Sequence, residues 1–476
     1  MMKKTLFLVL IINILLSTIS FSFCGVSAEK PTKEEKRKNR VPWLHRDTVF
    51  MNQKITTSEY TETKNDWGVT IGGFICTDLF WDSREMVGAR DGGILLYPAA
   101  PRWDADDKDI NATPSFNFLA MNSRLSVRIS APSVLKAQVG GFIEGWFMGA
   151  SNDGMNNFAL RHSYIRLSWS KNALLVGQTW HPMFTENCFA ATLAASTGAP
   201  FQPFSRAPQV RFTQQLGKPL RLMLYANTQL DQPSVGLNGS SSEYLRRSAI
   251  PEAGFQFQYS KDHENAERNS STHFLIGIGA DYKRLIPRLV TADNHKTKKG
   301  VNCGAALLFA HFKYTKNGEK RTSFGVKAKG FYGGGYNEML MLGGYTVKKY
   351  NEGMLNFNND FDYTTINMFS GWLDLYAEHG KWEFGIFNGY CKNLGAYSEI
   401  QEPGVCWGRG IGIDHLYRAS IRTKFNAGKL QIGVEPEYTL AYYGRELDNY
   451  GKVAKSDETD NIVHGLRLLL SMTLFF

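Results

Sequence analysis

The last residues of the chain, IVHGLRLLLSMTLFF, follow a strict two-residue rhythm that few folds can accommodate. Leu466, Leu468, Leu470, Met472, Leu474 and Phe476 fall on one side, and Arg467, Ser471 and Thr473 on the other. A period of two places the sets on opposite faces of a β-strand. The same rhythm sets Leu125, Val127 and Ile129 against Arg124, Ser126, Arg128 and Ser130, and Ile165 and Leu167 against Tyr164, Arg166 and Ser168. It also sets Val139 and Ile143 against Gln138 and Glu144, Val210 and Phe212 against Arg211, and Leu222 and Leu224 against Arg221. Sixteen such runs can be read between Trp67 and Phe476. Most exceed the five or six residues of an ordinary strand, which argues against a soluble sandwich with the greasy face as core. Lipid on one face and water on the other is the arrangement of a membrane barrel wall.

The connections support that reading. Seven are short, near residues 131, 170, 217, 261, 315, 379 and 426, and they alternate with eight long ones near 82, 150, 182, 231, 284, 334, 392 and 444. An even-numbered antiparallel barrel with both termini on one side needs this pattern, short turns facing the periplasm and longer loops outside. The expected fold is therefore all-β, a transmembrane antiparallel β-barrel of about 16 strands occupying residues 66–476.

Its N-terminal address agrees. Lys3 and Lys4 precede an apolar run from Leu6 to Phe23, and Val26, Ser27 and Ala28 form a small-residue cleavage pattern, so residues 1–28 read as a secretory signal peptide. Residues 29–65 open with six basic and three acidic side chains in EKPTKEEKRKNR and read as a flexible charged periplasmic arm. The formal charge of +10 fits nucleic acid or anionic lipid, but export to the outer membrane excludes nucleic acid as the partner. Later segments never reach the length of a transmembrane helix, although 43% of residues are hydrophobic, as expected where only alternate residues meet lipid.

No cofactor or metal site is expected. Cys76, Cys188, Cys303, Cys391 and Cys406 show no CxxC or His-Cys spacing, and a Cys391–Cys406 disulfide within one loop stays open. The acidic stretch Asp104, Asp106, Asp107 and Asp109 lacks the glycine and glutamate of a calcium loop and reads as solvated. Ser196, His181 and Glu186 lie close in sequence, but no nucleophile elbow, HExxH or phosphate loop accompanies them, so the chain is not expected to be an enzyme.

One connection departs from the others. Residues 182–207 are too long and too apolar for an exposed loop, with Phe184, Phe189, Phe201 and Phe204 among them, and a barrel interior would shelter these rings. This third external loop is expected to fold inward as a constriction, with its phenylalanines as anchors and Arg206 as the charged group nearest the narrow point. If the apolar faces meet lipid, their alternates line the lumen. Among them are Arg124, Arg128, Arg166, Arg211, Arg221 and Glu144, and basic residues outnumber acidic ones thirteen to seven. Such an excess favours small anionic or polar solutes. A non-conducting barrel acting as an adhesin or structural surface protein through its long loops is the competing reading.

The strings SREMVGARDGGILLYP (83–98), FNFLAMNSRLSVRI (116–129), LLVGQTWHPMF (174–184) and STGAPFQPFSRAPQVRFTQ (196–214) resemble those of outer-membrane porins of the Bacteroidota, similar to DcaP-like trimeric porins. The resemblance implies a sixteen-stranded homotrimer in outer-membrane lipid, an inward third loop at 182–207, and passage of small anions including dicarboxylates. Channels of that type also carry an N-terminal coiled coil. Residues 29–65 show no apolar heptad, so the resemblance does not extend to that stalk.

Overall fold

In lipid every backbone polar group must find a partner within the protein, which leaves a β-chain one solution: closure without an edge. The computed structural model describes residues 67–476 apart from 231, 351–359, 402–405, 445 and 455–461, and within them the chain takes that solution. The signal peptide and the charged arm lie outside the described residues.

Sixteen strands form the wall. They are β1 (Gly68–Asp82), β2 (Arg124–Val134), β3 (Ala137–Trp146), β4 (Ala159–Ser168), β5 (Asn172–Trp180), β6 (Arg206–Gln215), β7 (Leu220–Asn227) and β8 (Glu252–Asn265). There follow β9 (Ser270–Leu285), β10 (Val301–Lys316), β11 (Thr322–Gly334), β12 (Tyr363–His379), β13 (Trp382–Gly395), β14 (Ile413–Ala427), β15 (Leu430–Tyr443) and β16 (Ile462–Phe475). Each pairs antiparallel with its sequence neighbour, and β16 returns to β1 in the register Leu469↔Phe80, Ser471↔Asp78 and Thr473↔Cys76, closing the barrel.

The two faces come out as the alternation requires. Val69, Ile71, Ile165, Leu308 and Ile421 are exposed on the outside, whereas Asp374, Arg418, Lys424 and Glu435 are buried on the inside. Seven connections are short turns and eight are long. The turn between β2 and β3 is two residues, Leu135 and Lys136, both at positive φ (54° and 61°), a backbone whose twist suits a tight hairpin.

Two boundaries differ from the sequence reading. The run 116–130 is not one strand: Ser115–Leu119 pairs with the long-loop half of β1 and β2 with the other half, separated by a turn at 120–123. The alternation from Ala137 onward suggests a strand reaching Gly149, but β3 stops at Trp146, and Gly149 takes a left-handed φ of 64° that redirects the chain.

A candidate pore constriction

The connection from β5 to β6 begins with His181, whose Nδ1 accepts the backbone N–H of Met183 at 3.2 Å and caps a short 3-10 turn, Pro182–Phe184. Trp180 stacks on Phe184 with centroids 4.2 Å apart, Phe184 packs on Phe189 at 5.6 Å, and Phe204 meets Trp180 edge-on at 5.1 Å. Phe184, Phe189, Phe201 and Phe204 are all buried, as befits anchors.

What holds this segment is mostly charge. Residues of both signs on the inner face bond to its backbone. Asp374 (β12) accepts Ala191 N–H at 3.1 Å, and Glu435 (β15) accepts Leu193 N–H. Lys424 (β14) donates to Ala191 O at 2.9 Å, Ser370 (β12) to Phe201 O at 2.6 Å, and Lys329 (β11) to Phe184 O. Arg418 (β14) donates to Ala199 O at 3.1 Å and, through its other terminal nitrogen, to Leu96 O at 2.8 Å. Glycine provides the room: a Cβ on Gly389 would lie 2.5 Å from Phe201 Cγ, and one on Gly433 2.6 Å from Leu193 Cδ2. The loop is therefore fastened chiefly to the inner faces of β11–β15, and it also meets β8 and β10 through Pro182, Asn187 and Cys188, and β1, β3 and β16 through Leu193, Ala194 and Ala195.

Two further long connections join it. Ile94–Pro98 is buried throughout and supplies the Leu96 carbonyl to Arg418. The stretch 333–347, whose opening Gly333 to Tyr336 reads in the sequence as part of a polar Gly-rich loop, is buried along its length. Its Tyr336 hydroxyl donates to Asp281 at 2.9 Å, its Glu338 pairs with Lys283, and its Met339 carbonyl accepts Phe204 N–H at 2.8 Å. The sequence signal for this was present in GYNEMLMLGGYTV, whose Met and Leu content is too apolar for an exposed loop.

His181, Glu252 and Asp281 bring ligand-type atoms within 4.8 Å of one another. His181 Nδ1 accepts Met183 N–H, and its Nε2 lies 2.7 Å from the Asn227 amide nitrogen and 3.2 Å from Glu252 Oε1. With both ring nitrogens engaged by protein groups, the cluster reads as a buried lock at the root of the loop.

The expected site residues separate into two sets. Arg124, Arg206 and Glu144 are buried together with Arg161 and His162 beside Trp146 and Trp180. Arg206 is a correction: it is the first residue of β6, not part of the loop, and lies 4% exposed over the two indoles, away from open lumen. Arg128, Arg166 and Arg221 keep solvent contact on the inner faces of β2, β4 and β7. Arg211 lies nearby, buried, its Nη2 donating to Trp180 O at 2.7 Å and its Nη1 3.9 Å from Glu186 on the loop. Arg166 and Arg221 both lie within electrostatic reach of Arg211 and Glu186. Arg161, Asp82, Glu252 and Glu378 escaped the sequence reading; the first needed a bulge that alternation conceals. The added acids narrow the basic excess.

Cys391 and Cys406 are not joined in a disulfide: Cys391 lies on the inner face of β13 and Cys406 on a short strand, Cys406–Arg409. Asp104, Asp106 and Asp107 are exposed, and Asp104 accepts the backbone N–H groups of Asp106 and Lys108 at 2.8 and 2.9 Å, forming a turn.

The architecture is a closed sixteen-stranded antiparallel β-barrel, a fold shared with known outer-membrane channels. Among solved structures, the outer-membrane channel DcaP of Acinetobacter baumannii superposes with a TM-score of 0.56 at 15% identity, covering 87% of this chain and 99% of that one. An anion-selective porin from Comamonas acidovorans gives 0.45 at 11% identity over 86% and 100%, and Pseudomonas putida OprB 0.45 at 8% over 87% and 94%. No family model and no curated protein sequence matches the chain.

Proposed function

We propose that this chain is a bacterial outer-membrane porin: a passive diffusion channel for small hydrophilic solutes with a preference for anions, not an enzyme, assembled as a homotrimer. The proposal extends to the DcaP-like porins of the Bacteroidota on the strength of the four quoted strings. The observation that carries the anion preference is the asymmetry across the lumen. The loop is fastened mainly to β11–β15, and on the inner faces of β2, β4 and β7 the side chains of Arg128, Arg166 and Arg221 keep solvent contact. Glu186 is the acidic group the loop brings toward them. Fixed guanidinium groups along a narrow path stabilise a passing carboxylate or phosphate through paired N–H donors.

The test is a planar bilayer with a salt gradient. Wild-type protein should give a reversal potential on the anion side. The triple variant Arg128→Gln, Arg166→Gln, Arg221→Gln should move it toward the cation side, and an unchanged potential would remove the selectivity claim. A folded barrel passing no current at any voltage would instead favour the adhesin reading.

A further inference from the structure

Where β3 pairs with β4 the register slips between Glu144 and Gly145. The consequence is that two successive residues of β4, Arg161 and His162, are both buried, at 0 and 4% exposure. In a regular strand one of the two would face lipid. Bulges of this kind re-aim a side chain, and here the slip adds a third guanidinium to those of Arg124 from β2 and Arg206 from β6.

The three converge on one ring. Their guanidinium carbons lie 4.1 Å (Arg161), 4.7 Å (Arg206) and 5.7 Å (Arg124) from the centroid of Trp146, and those of Arg161 and Arg206 also lie 5.5 and 5.2 Å from Trp180. Glu144 is the shared carboxylate, 2.8 Å from Arg161 Nε, 3.9 Å from Arg124 Nη1 and 3.8 Å from His162 Nε2. His162 also meets Thr179 Oγ1 at 3.0 Å through its other nitrogen. Glu144 therefore takes only the inner edge of Arg161, whose Nη1 and Nη2 are buried and have no hydrogen-bond partner. Indole faces attract a cation but offer no acceptor in the guanidinium plane. A charged donor pair shut away from water without an acceptor is strongly unfavourable, more so beside two like charges.

We propose that a monatomic anion, chloride in ordinary saline, is retained at Nη1 and Nη2 of Arg161, with the Arg124 and Arg206 guanidiniums bordering it. The complete enclosure of Arg161 selects an ion without a carbon skeleton. This ion is a resident of the wall, separate from solutes passing Arg128, Arg166 and Arg221, and its presence does not depend on whether the barrel conducts.

The experiment is chloride NMR on the full-length protein in detergent, with excess line width as the readout. Wild type should broaden the line, Arg161→Met should lose most of that broadening, and Arg128→Met should keep it. Acetate should not displace the signal; displacement would overturn the assignment to a monatomic ion. Retained broadening in Arg161→Met would overturn the site. Should that variant not fold, wild-type crystals grown in bromide decide: an anomalous peak at the Arg161 terminal nitrogens supports the proposal, and none there refutes it.

Discussion

Arg418→Met asks whether side-chain donors hold the constriction in place. Arg418 is fully buried and uses three donors: Nε to Thr439 Oγ1 at 2.9 Å, Nη1 to Ala199 O at 3.1 Å and Nη2 to Leu96 O at 2.8 Å. The last two fasten separate inward segments to β14, and its guanidinium also lies 5.4 Å over Phe201. Methionine keeps much of the bulk and removes every N–H. Hydrogen bonds to charged groups contribute roughly 1.5–3 kcal/mol each, so the two loop bonds together hold about 3–6 kcal/mol. Water entering the lumen replaces part of this, which makes the lower end the working value. A loss of about 3 kcal/mol raises the population of displaced loop by on the order of a hundredfold. The barrel ladder is untouched, so the variant should fold and resist heat as wild type does. Its single-channel records should show larger conductance and more open-channel noise. A folded variant with wild-type conductance and noise would refute the claim that Arg418 restrains these loops.

Leu308 projects outward at the middle of β10 and is 55% exposed; Leu308→Arg should lower stability in vesicles by roughly 2–4 kcal/mol, read by denaturant unfolding. No loss would contradict a lipid-facing position. Burial raises the Asp109 carboxyl, but the N–H groups of Arg102 and Asn111 and the Arg84 guanidinium outweigh it and hold the group below its usual range. A depressed folded value means the ordering is present above the unfolded carboxylate pKa of about 3.9 and is lost as pH falls through the folded one. Acid proteolysis should therefore open the first long loop in wild type, while Asp109→Asn should be open at neutral pH too. Among the described cysteines Cys406 alone is not fully buried, so a maleimide should label one thiol in the folded barrel and all five once it is unfolded. A disulfide with Cys391 would lower the unfolded count to three.

Strand number, facing and connection pattern were legible because lipid outside and water inside enforce a period of two over long runs. Arg418, Arg422, Lys424 and Arg467 all face inward as their alternation demands. The failures sit where the period breaks. Arg161 was hidden by the slip at Glu144, whereas the interruption at 120–123 leaves a trace in the sequence: the outward residues fall on even positions at Phe116 and Phe118 and on odd ones at Leu125 and Val127, a change of phase that only a break in the strand allows. The inward course of 182–205 was announced by four phenylalanines, while that of 333–347 was overlooked because its glycines resemble a loop and its apolar residues do not alternate.

The same geometry changes what a count of lumenal charge means. Arg422 makes a two-point pair with Asp374, Arg467 does so with Asp82, and Lys283 pairs with Glu338. Lys329, Lys424 and Arg418 donate to loop carbonyls. A donor committed to a carbonyl still carries its charge, but it lies behind the loop and its field is offset by neighbouring carboxylates before it reaches water. On the proposed function, the solvent-contacting arginines on β2, β4 and β7 would act at short range on a passing solute. If the barrel conducts as proposed, its selectivity follows position more than number: inner-face charges spent on the loop and on one another fix the constriction, and those left in contact with solvent set which ions the path favours.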